Sequence, residues 1–415
     1  MNAGMTAKHK NILVLTYWSY NDALIQTYTL PYIRIIRKII SPKSKLYLVT
    51  FDNHNYPIGK QQEKKIKQEL FNEGIRWIRF HYFPLGIKPI LFAPFQFLKL
   101  LAICFSQKIH FIHAWCTPAG MLGYLLSKST GISLIVDSYE PHAEAMVENG
   151  TWKKNAMAFN LLFYFEKKMS QHANAVIACV NNMKEYARQK YAVEFKRFYV
   201  KPAGVNLEQF SSANRKKTEL LKKFGFENKI ICVYAGKFGG IYLTKEVFDF
   251  FETAHEYWKD KFKILILTSH TKKEIKEYSQ KSALDHNIIT QLFVSHNEIA
   301  DYMGLADFAI TSVKPVQTKR YCSPIKDGEH WALGLPVVIT PNISEDSGLI
   351  EQFDAGSIIE SFDKESYLKS VKKIDQLLSS FTIEELYKKI RPLAEKYRNF
   401  SIAEKVYKKI YSEKP

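Results

Sequence analysis

Short apolar runs alternate with longer segments of helical periodicity from one end of the chain to the other, the pattern of βα units that feed parallel sheets. In the first half, strands are expected at 11–16, 45–50, 75–80, 110–114, 132–137 and 175–179, with helices at 23–39, 60–73, 95–106, 119–127 and 156–169. A charged stretch at 211–229 then breaks the rhythm. Beyond it, strands are expected at 230–234, 262–268, 291–294, 307–311 and 336–340, with a glycine-containing turn at Gly236, Gly239 and Gly240 and a helix from about Thr244. The spacing predicts two doubly wound α/β domains, 1–206 and 207–400, followed at 401–415 by a helix expected to pack back on the first. Such domains place ligands at the carboxyl ends of their strands, so a cleft between the halves is the expected active site.

Length agrees with this division, because 415 residues exceed what one hydrophobic core usually supports. A hydrophobic content of 46% and a charged content of 24% are those of a chain that folds throughout. The formal charge of +18 points to an acidic partner: a phosphate-rich substrate, an anionic membrane face or nucleic acid. Five scattered cysteines, Cys104, Cys116, Cys179, Cys232 and Cys322, have no metal-ligand spacing and read as reduced core residues of a cytoplasmic protein. Lys8 and Lys10 precede an apolar run at 12–15 that is too short for a secretory signal. The most membrane-like window, from Gly86 to residue 105, is interrupted by Lys88, Pro89, Pro94, Gln96 and Lys99 and makes a poor spanning helix.

The densest polar constellation is SPIKDGEHWALGLPVV, residues 323–338. Ser323 and Pro324 open a short helix that Gly334 closes before a buried strand. The amides and dipole of that helix start favour an anion such as a diphosphate, and Lys326 adds a positive charge. Glu329, about one turn in, is suited to accept from two sugar hydroxyls. Its plainer reading is a capping carboxylate.

These residues resemble the C-terminal domain of glycosyltransferase family 4, retaining enzymes of the GT-B fold. In that family a glutamate ahead of a helix and a glycine-x-proline strand start holds the ribose of the nucleotide, and Glu329 within GEHWALGLPVV matches it. Ser323, Pro324 and Lys326 match a Ser-Pro-x-Lys variant of the helix start. The family's commoner pattern has a further glutamate eight positions earlier, on the transferred sugar, where this chain has Tyr321. Gly236-Lys237 resembles the Gly-Arg that binds the donor diphosphate, with Lys237 keeping the charge without the arginine's fork. Lys245 is a candidate second cation, and reads equally well as a solvated lysine.

In the first half, 110–120 resembles the family's strand ending in His-Ala before a Pro-Ala-Gly turn, and His113 there reads as a packed strand-end histidine. The loop at 136–144 is more polar than a connector requires. The resemblance implies that a histidine or carboxylate from it lines the donor sugar, with His142 first, then Glu140 and Asp137, against the rival of an Asp–His pair serving structure alone. Further likenesses are the Pro-x-Gly-Val-Asn turn ending at Asn206 and the stretch 298–308.

The expected activity is transfer of a sugar from a nucleotide diphosphate donor to a glycan or lipid-linked acceptor in surface polysaccharide or glycoconjugate synthesis. Retention of configuration is implied by the resemblance, and no nucleophile is named. Charge on the departing diphosphate would be stabilised by Lys237, Lys326 and helix amides. No Asp-x-Asp motif is present, so neither metal nor other cofactor is expected beyond the nucleotide sugar itself. A basic cluster, Arg34, Arg37, Lys38, Lys43 and Lys45, with the apolar stretch from Phe92 to residue 105, is a candidate for peripheral contact with an anionic membrane at its cytoplasmic face. Nucleic acid is not expected, since no recognition motif accompanies the charge. The rival readings are a catalytically silent GT-B scaffold and another GT-B enzyme, such as a nucleotide-sugar 2-epimerase.

Overall fold

A strand covered on both faces needs an apolar residue at nearly every position, and the runs NILVL and LYLVTFD meet that demand with every residue buried. The computed structural model describes residues 9–53, 56–82 and 87–412, the side chains of 87–92 excepted. Lys8, Gly86 and the side chains of Lys88, Pro89 and Phe92, which entered the sequence reading, lie outside the described residues.

The chain forms two units. The first gathers the described residues up to Val147, Thr151–Lys201 and those from Phe400 onward. Its parallel sheet comprises β1 (Asn11–Leu15), β2 (Leu46–Asp52), β3 (Ile75–His81), β4 (Ile109–Trp115), β5 (Ser133–Tyr139), β6 (Ala175–Ala178) and β7 (Phe198–Val200), in the order β3-β2-β1-β4-β5-β6-β7. The second unit is Glu148–Gly150 with Pro202–Asn399. Its parallel sheet comprises β8 (Ile230–Ala235), β9 (Phe262–Leu267), β10 (Ile289–Leu292), β11 (Phe308–Ile310), β12 (Val337–Ile339) and β13 (Gly356–Ile358), in the order β10-β9-β8-β11-β12-β13.

All of the expected strands are present, and β10 begins two residues before the expected run, with Phe293 left exposed beyond its end. The two unexpected strands, β7 and β13, are three residues each and lie at sheet edges. β13 starts on Gly356, where a Cβ would stand 1.9 Å from the Val337 carbonyl oxygen, so close strand pairing there excludes a side chain. The helix expected at 23–39 is divided. Residues Ile25–Thr29 form a wider turn closed by Leu30 N–H on the Ile25 carbonyl, and the regular helix Leu30–Ile39 follows. Pro31 accounts for the break, because it has no N–H and its ring crowds the carbonyl four residues back.

One expectation about polar residues of the first unit is corrected, and part of its basic cluster is found to be paired. Asp137, a candidate for the donor sugar, is fully buried at the end of β5. It accepts from Tyr407 Oη at 2.7 Å, meets His113 Nε2 at 3.1 Å and pairs with Lys201 Nζ at 3.2 Å. His113 Nδ1 in turn meets Tyr411 Oη at 2.5 Å, so the C-terminal helix Phe400–Ser412 is fastened to β4 and β5 by polar bonds. The Lys201 ammonium lies 3.7 Å from the Tyr32 ring centroid and 5.3 Å from that of Trp115, an aromatic enclosure suited to a desolvated cation. The basic cluster at 34–45 is also partly neutralised: Arg34 makes a two-pronged contact with Glu73, and Arg37 donates to the Ser44 and Ser41 carbonyls.

Burial alone would raise the Asp137 pKa, but Lys201, His113 and Tyr407 outweigh it and hold the carboxyl at about 2. An unfolded aspartate titrates near about 3.9. The contribution of Asp137 to stability is therefore complete above about pH 4 and is lost as the pH falls from there toward 2. Lys201→Met should lower the free energy of unfolding by about 3–5 kcal/mol at pH 7 by leaving a buried carboxylate unpaired. Adding Asp137→Asn should restore part of that loss, as read by urea denaturation; equal stability of wild type and Lys201→Met would contradict the assignment.

Candidate functional site

In the second unit β8 is followed by β9 on one side of it, and the chain later returns as β11 on the other. The connections leaving β8 and β11 thus part in opposite directions and open a crevice at the carboxyl ends of the strands, the usual ligand position in such sheets. The first of them holds Gly236, Lys237, Gly239 and Gly240, and the second runs to Ser323 and the helix Ile325–Ala332.

The two connections are joined to each other. Leu243 N–H donates to the Ser312 carbonyl at 2.6 Å and Lys314 N–H to that of Ile241 at 3.0 Å, around an antiparallel bridge between Tyr242 and Val313. Tyr234 Oη donates to the Lys237 carbonyl at 2.6 Å and meets Ser312 Oγ at 2.9 Å. Phe238 stacks on Tyr234 and its N–H donates to His270 Nε2 at 3.0 Å. Gly239 and Gly240 take φ of +80° and +61°, left-handed values that explain two consecutive glycines in this turn. Lys237 is exposed, and its ammonium has no partner among the described residues.

The helix Ile325–Ala332 begins after Pro324 with no side-chain cap, so its first amides are open to a ligand. It ends as the sequence implied: Gly334, at φ +68°, donates to the Trp331 carbonyl at 2.9 Å, and Leu335 donates to that of His330 at 3.0 Å. Lys326 Nζ and Glu329 Oε2 are 2.6 Å apart, with the Lys326 side chain one-third exposed and Glu329 buried. Glu329 Oε1 makes no hydrogen bond among the described residues. The two residues assigned separately to phosphate and ribose are therefore one ion pair.

Ser323 is more than a helix opener. Its Oγ accepts from Ala203 N–H at 3.0 Å and from the Arg398 guanidinium, which also binds Asp346. Asp346 faces Asp327, which accepts from Thr311 Oγ1. Burial, and then the Asp346 charge, push Asp327 well above the usual carboxylate range, so Asp327 is the protonated member and Asp346 the carboxylate that meets Arg398. Arg398 runs beneath the helix, where a Cβ on Gly328 would lie 3.1 Å from its Cγ. His330 is buried with both ring nitrogens unpartnered, and burial, with the nearby Lys326 charge, lowers its pKa to about 3.

The other candidates are placed differently. Lys245, the first residue of the helix Lys245–Trp258, is exposed and paired with Asp249 at 2.6 Å. Glu140 and His142 lie at the carboxyl end of β5 in the first unit, with His142 Nδ1 at 3.2 Å from Glu140 Oε1. His296, in a loop that the sequence offered only for contact with the base, is near enough to Glu329 and Lys326 for both charges to act on it; burial lowers its pKa overall. Sequence reasoning did not name Lys319, which is nine-tenths buried in the turn Gln317–Tyr321 without a carboxylate partner among the described residues. Their only sequence signal was position in loops after strands.

Residues 58–209 match the model of Glycosyltransferase Family 4. The protein is a glycosyltransferase, and its two parallel-sheet units have the GT-B fold. It is similar in structure to a glycosyltransferase from Rickettsia africae, at TM-score 0.70 and 16% identity over 97% of this chain and 98% of that one. Sucrose-phosphate synthase from Thermosynechococcus elongatus is similar at TM-score 0.70 and 13% identity over 97% and 98%. HepE of Anabaena in complex with UDP-glucose is similar at TM-score 0.70 and 14% identity over 97% and 100%. No curated protein matches the chain by sequence.

The protonation assignment under the helix gives an asymmetric expectation. At pH 7, Asp327→Asn should change stability by less than about 1 kcal/mol, since it replaces a neutral group with a neutral one. Asp346→Asn should cost about 3–5 kcal/mol by stranding the buried Arg398 charge. Urea denaturation of both variants checks the order, and a reversed order would place the proton on Asp346.

Proposed function

We propose that this glycosyltransferase takes a sugar from a nucleotide diphosphate donor held in its second unit and passes it to a hydroxyl of a glycan or lipid-linked acceptor, with retention and without a metal ion. The observation that carries the reading is the Lys326–Glu329 pair in the first turn of a helix with an uncapped N-terminus, beside the crevice between β8 and β11. Anions favour such a helix start, because its amides point outward and its dipole is positive there.

In this reading the diphosphate meets the open amides, Lys326 and Lys237, and Glu329 Oε1 accepts from a ribose hydroxyl. Binding would shift Lys326 from Glu329 toward phosphate. As the sugar–oxygen bond breaks, negative charge grows on the departing diphosphate, and donors already aimed there stabilise that change most. Ser323 keeps a hydrogen to donate, since its oxygen already accepts two bonds. Glu140 and His142 are the first unit's candidates for contact with the sugar or acceptor, with Glu140 orienting the ring. The UDP-glucose complex of HepE makes uridine nucleotides the first donors to test. Surface polysaccharide or glycoconjugate synthesis is the proposed setting.

Thermal stabilisation by a panel of nucleotide diphosphates and nucleotide sugars tests the reading. One base should raise the melting temperature, by about 2–4 °C per kcal/mol of linkage in domains of this size. Glu329→Ala should weaken that nucleotide about ten- to hundredfold, the loss of a hydrogen bond to a charged group. His142→Ala should leave nucleotide affinity near wild type while reducing transfer. No shift with any nucleotide would overturn the donor assignment and favour a catalytically silent scaffold.

A further inference from the structure

On one side of the first unit's sheet lie three helices, Ile87–Ser106, Cys116–Thr130 and Met157–His172, the middle one touching both others. Tyr124 on the middle helix meets Phe165 and His172 on the third, and its Ser127 Oγ is 2.8 Å from His172 Nε2. On the first helix the exposed positions Phe95, Leu98, Ala102 and Phe105 fall within an arc of about 80° at the helical repeat. Phe95 is 68% exposed and Phe105 64%. A surface helix ordinarily turns its polar face outward, so an apolar outer stripe is the reverse of the usual arrangement. The third helix repeats it with Met157, Leu161 and Tyr164, exposed by 85%, 52% and 53%. These helices carry seven of the fifteen exposed large apolar side chains among the described residues, and such concentration marks an interaction surface.

The charges on this face have one sign. Lys99, Lys128, Lys167 and Lys168 lie on the helices, and exposed Lys153 and Lys154 precede the third. The one carboxylate in all three is Glu166, and it is buried, accepting from Ala143 N–H at 2.9 Å and Tyr191 Oη at 2.7 Å.

We infer that this three-helix face seats the protein on an anionic lipid bilayer, with the apolar stripes at the headgroup boundary and the lysines against acidic headgroups. The charge pattern selects this occupant. In a two-fold contact with a second copy, the face would set lysines against lysines with no exposed carboxylate to pair them. A bilayer rich in acidic lipid accepts both the apolar stripes and the cations. No helix among the described residues is long and apolar enough to cross a membrane, so the seating is on the surface. The inference does not depend on the nucleotide site.

Sedimentation of the full chain with vesicles tests it. The protein should sediment with phosphatidylcholine vesicles containing about a third phosphatidylglycerol, less so as salt rises, and stay in solution with phosphatidylcholine alone. Leu98→Glu with Leu161→Glu, and separately Lys99→Ala with Lys167→Ala, should each weaken vesicle binding at least about tenfold. Both double variants should melt near the wild-type temperature, since the replaced side chains are exposed. Absence of wild-type binding to the acidic vesicles, or unchanged binding by both variants, overturns the proposal. So does a wild-type dimer that the Leu98→Glu, Leu161→Glu variant converts to monomer without any effect on vesicles, which would make a second copy the occupant.

Discussion

A buried charge that finds its opposite is the constraint on which much of this structure rests. Asp137 lies where no water reaches it, and a carboxylate so placed must be surrounded by donors and cations or give up its charge. Lys201, His113 and Tyr407 meet that demand, and in doing so they bring together β4, β5, the segment leaving β7 and the C-terminal helix. The second unit meets the same demand with Arg398, Asp346 and a proton retained on Asp327. Both cations stand at crossings of the chain: Lys201 is the last residue before the main part of the second unit begins at Pro202, and Arg398 lies two residues before the chain returns at Phe400. Val205 N–H donates to the Arg398 carbonyl at 2.7 Å, so the segments just inside each crossing are paired within the second unit.

The division of work within the second unit follows from this. Arg398 and Ser323 settle where the helix Ile325–Ala332 starts, and Gly334 settles where it stops, with a Cβ at that position only 2.5 Å from the Tyr387 backbone. Between those points the helix can hold out open amides and the Lys326–Glu329 pair without local support from a capping side chain. A candidate site built over a buried ionic network is kept in place by groups beneath the helix.

Much of this was legible in the sequence, for reasons that also explain the gaps. Strands of a buried parallel sheet read as unbroken apolar runs, so β1, β2, β8 and β9 were plain, whereas three-residue edge strands such as β7 and β13 present too few positions to form a pattern. The helix carrying Glu329 was legible because its ends are marked by proline and glycine. What could not be read was partnership at a distance. Nothing local joins Asp346 to Arg398, or Ser323 to Ala203, and the polarity of Asp137 left its structural pairing as one of two readings. Nor did sequence show that Lys326 is held against Glu329, or Lys245 against Asp249.

The joining of the loops after β8 and β11 has a consequence for recognition. Because Leu243 bonds Ser312 and Lys314 bonds Ile241, neither backbone moves without disrupting the other. The conformational freedom that a solitary glycine loop would surrender on meeting its ligand has already been surrendered during folding. Of the side chains on these loops, Lys237 at the rim keeps its freedom, while the peptide groups are held in one arrangement by the bonds between the two connections.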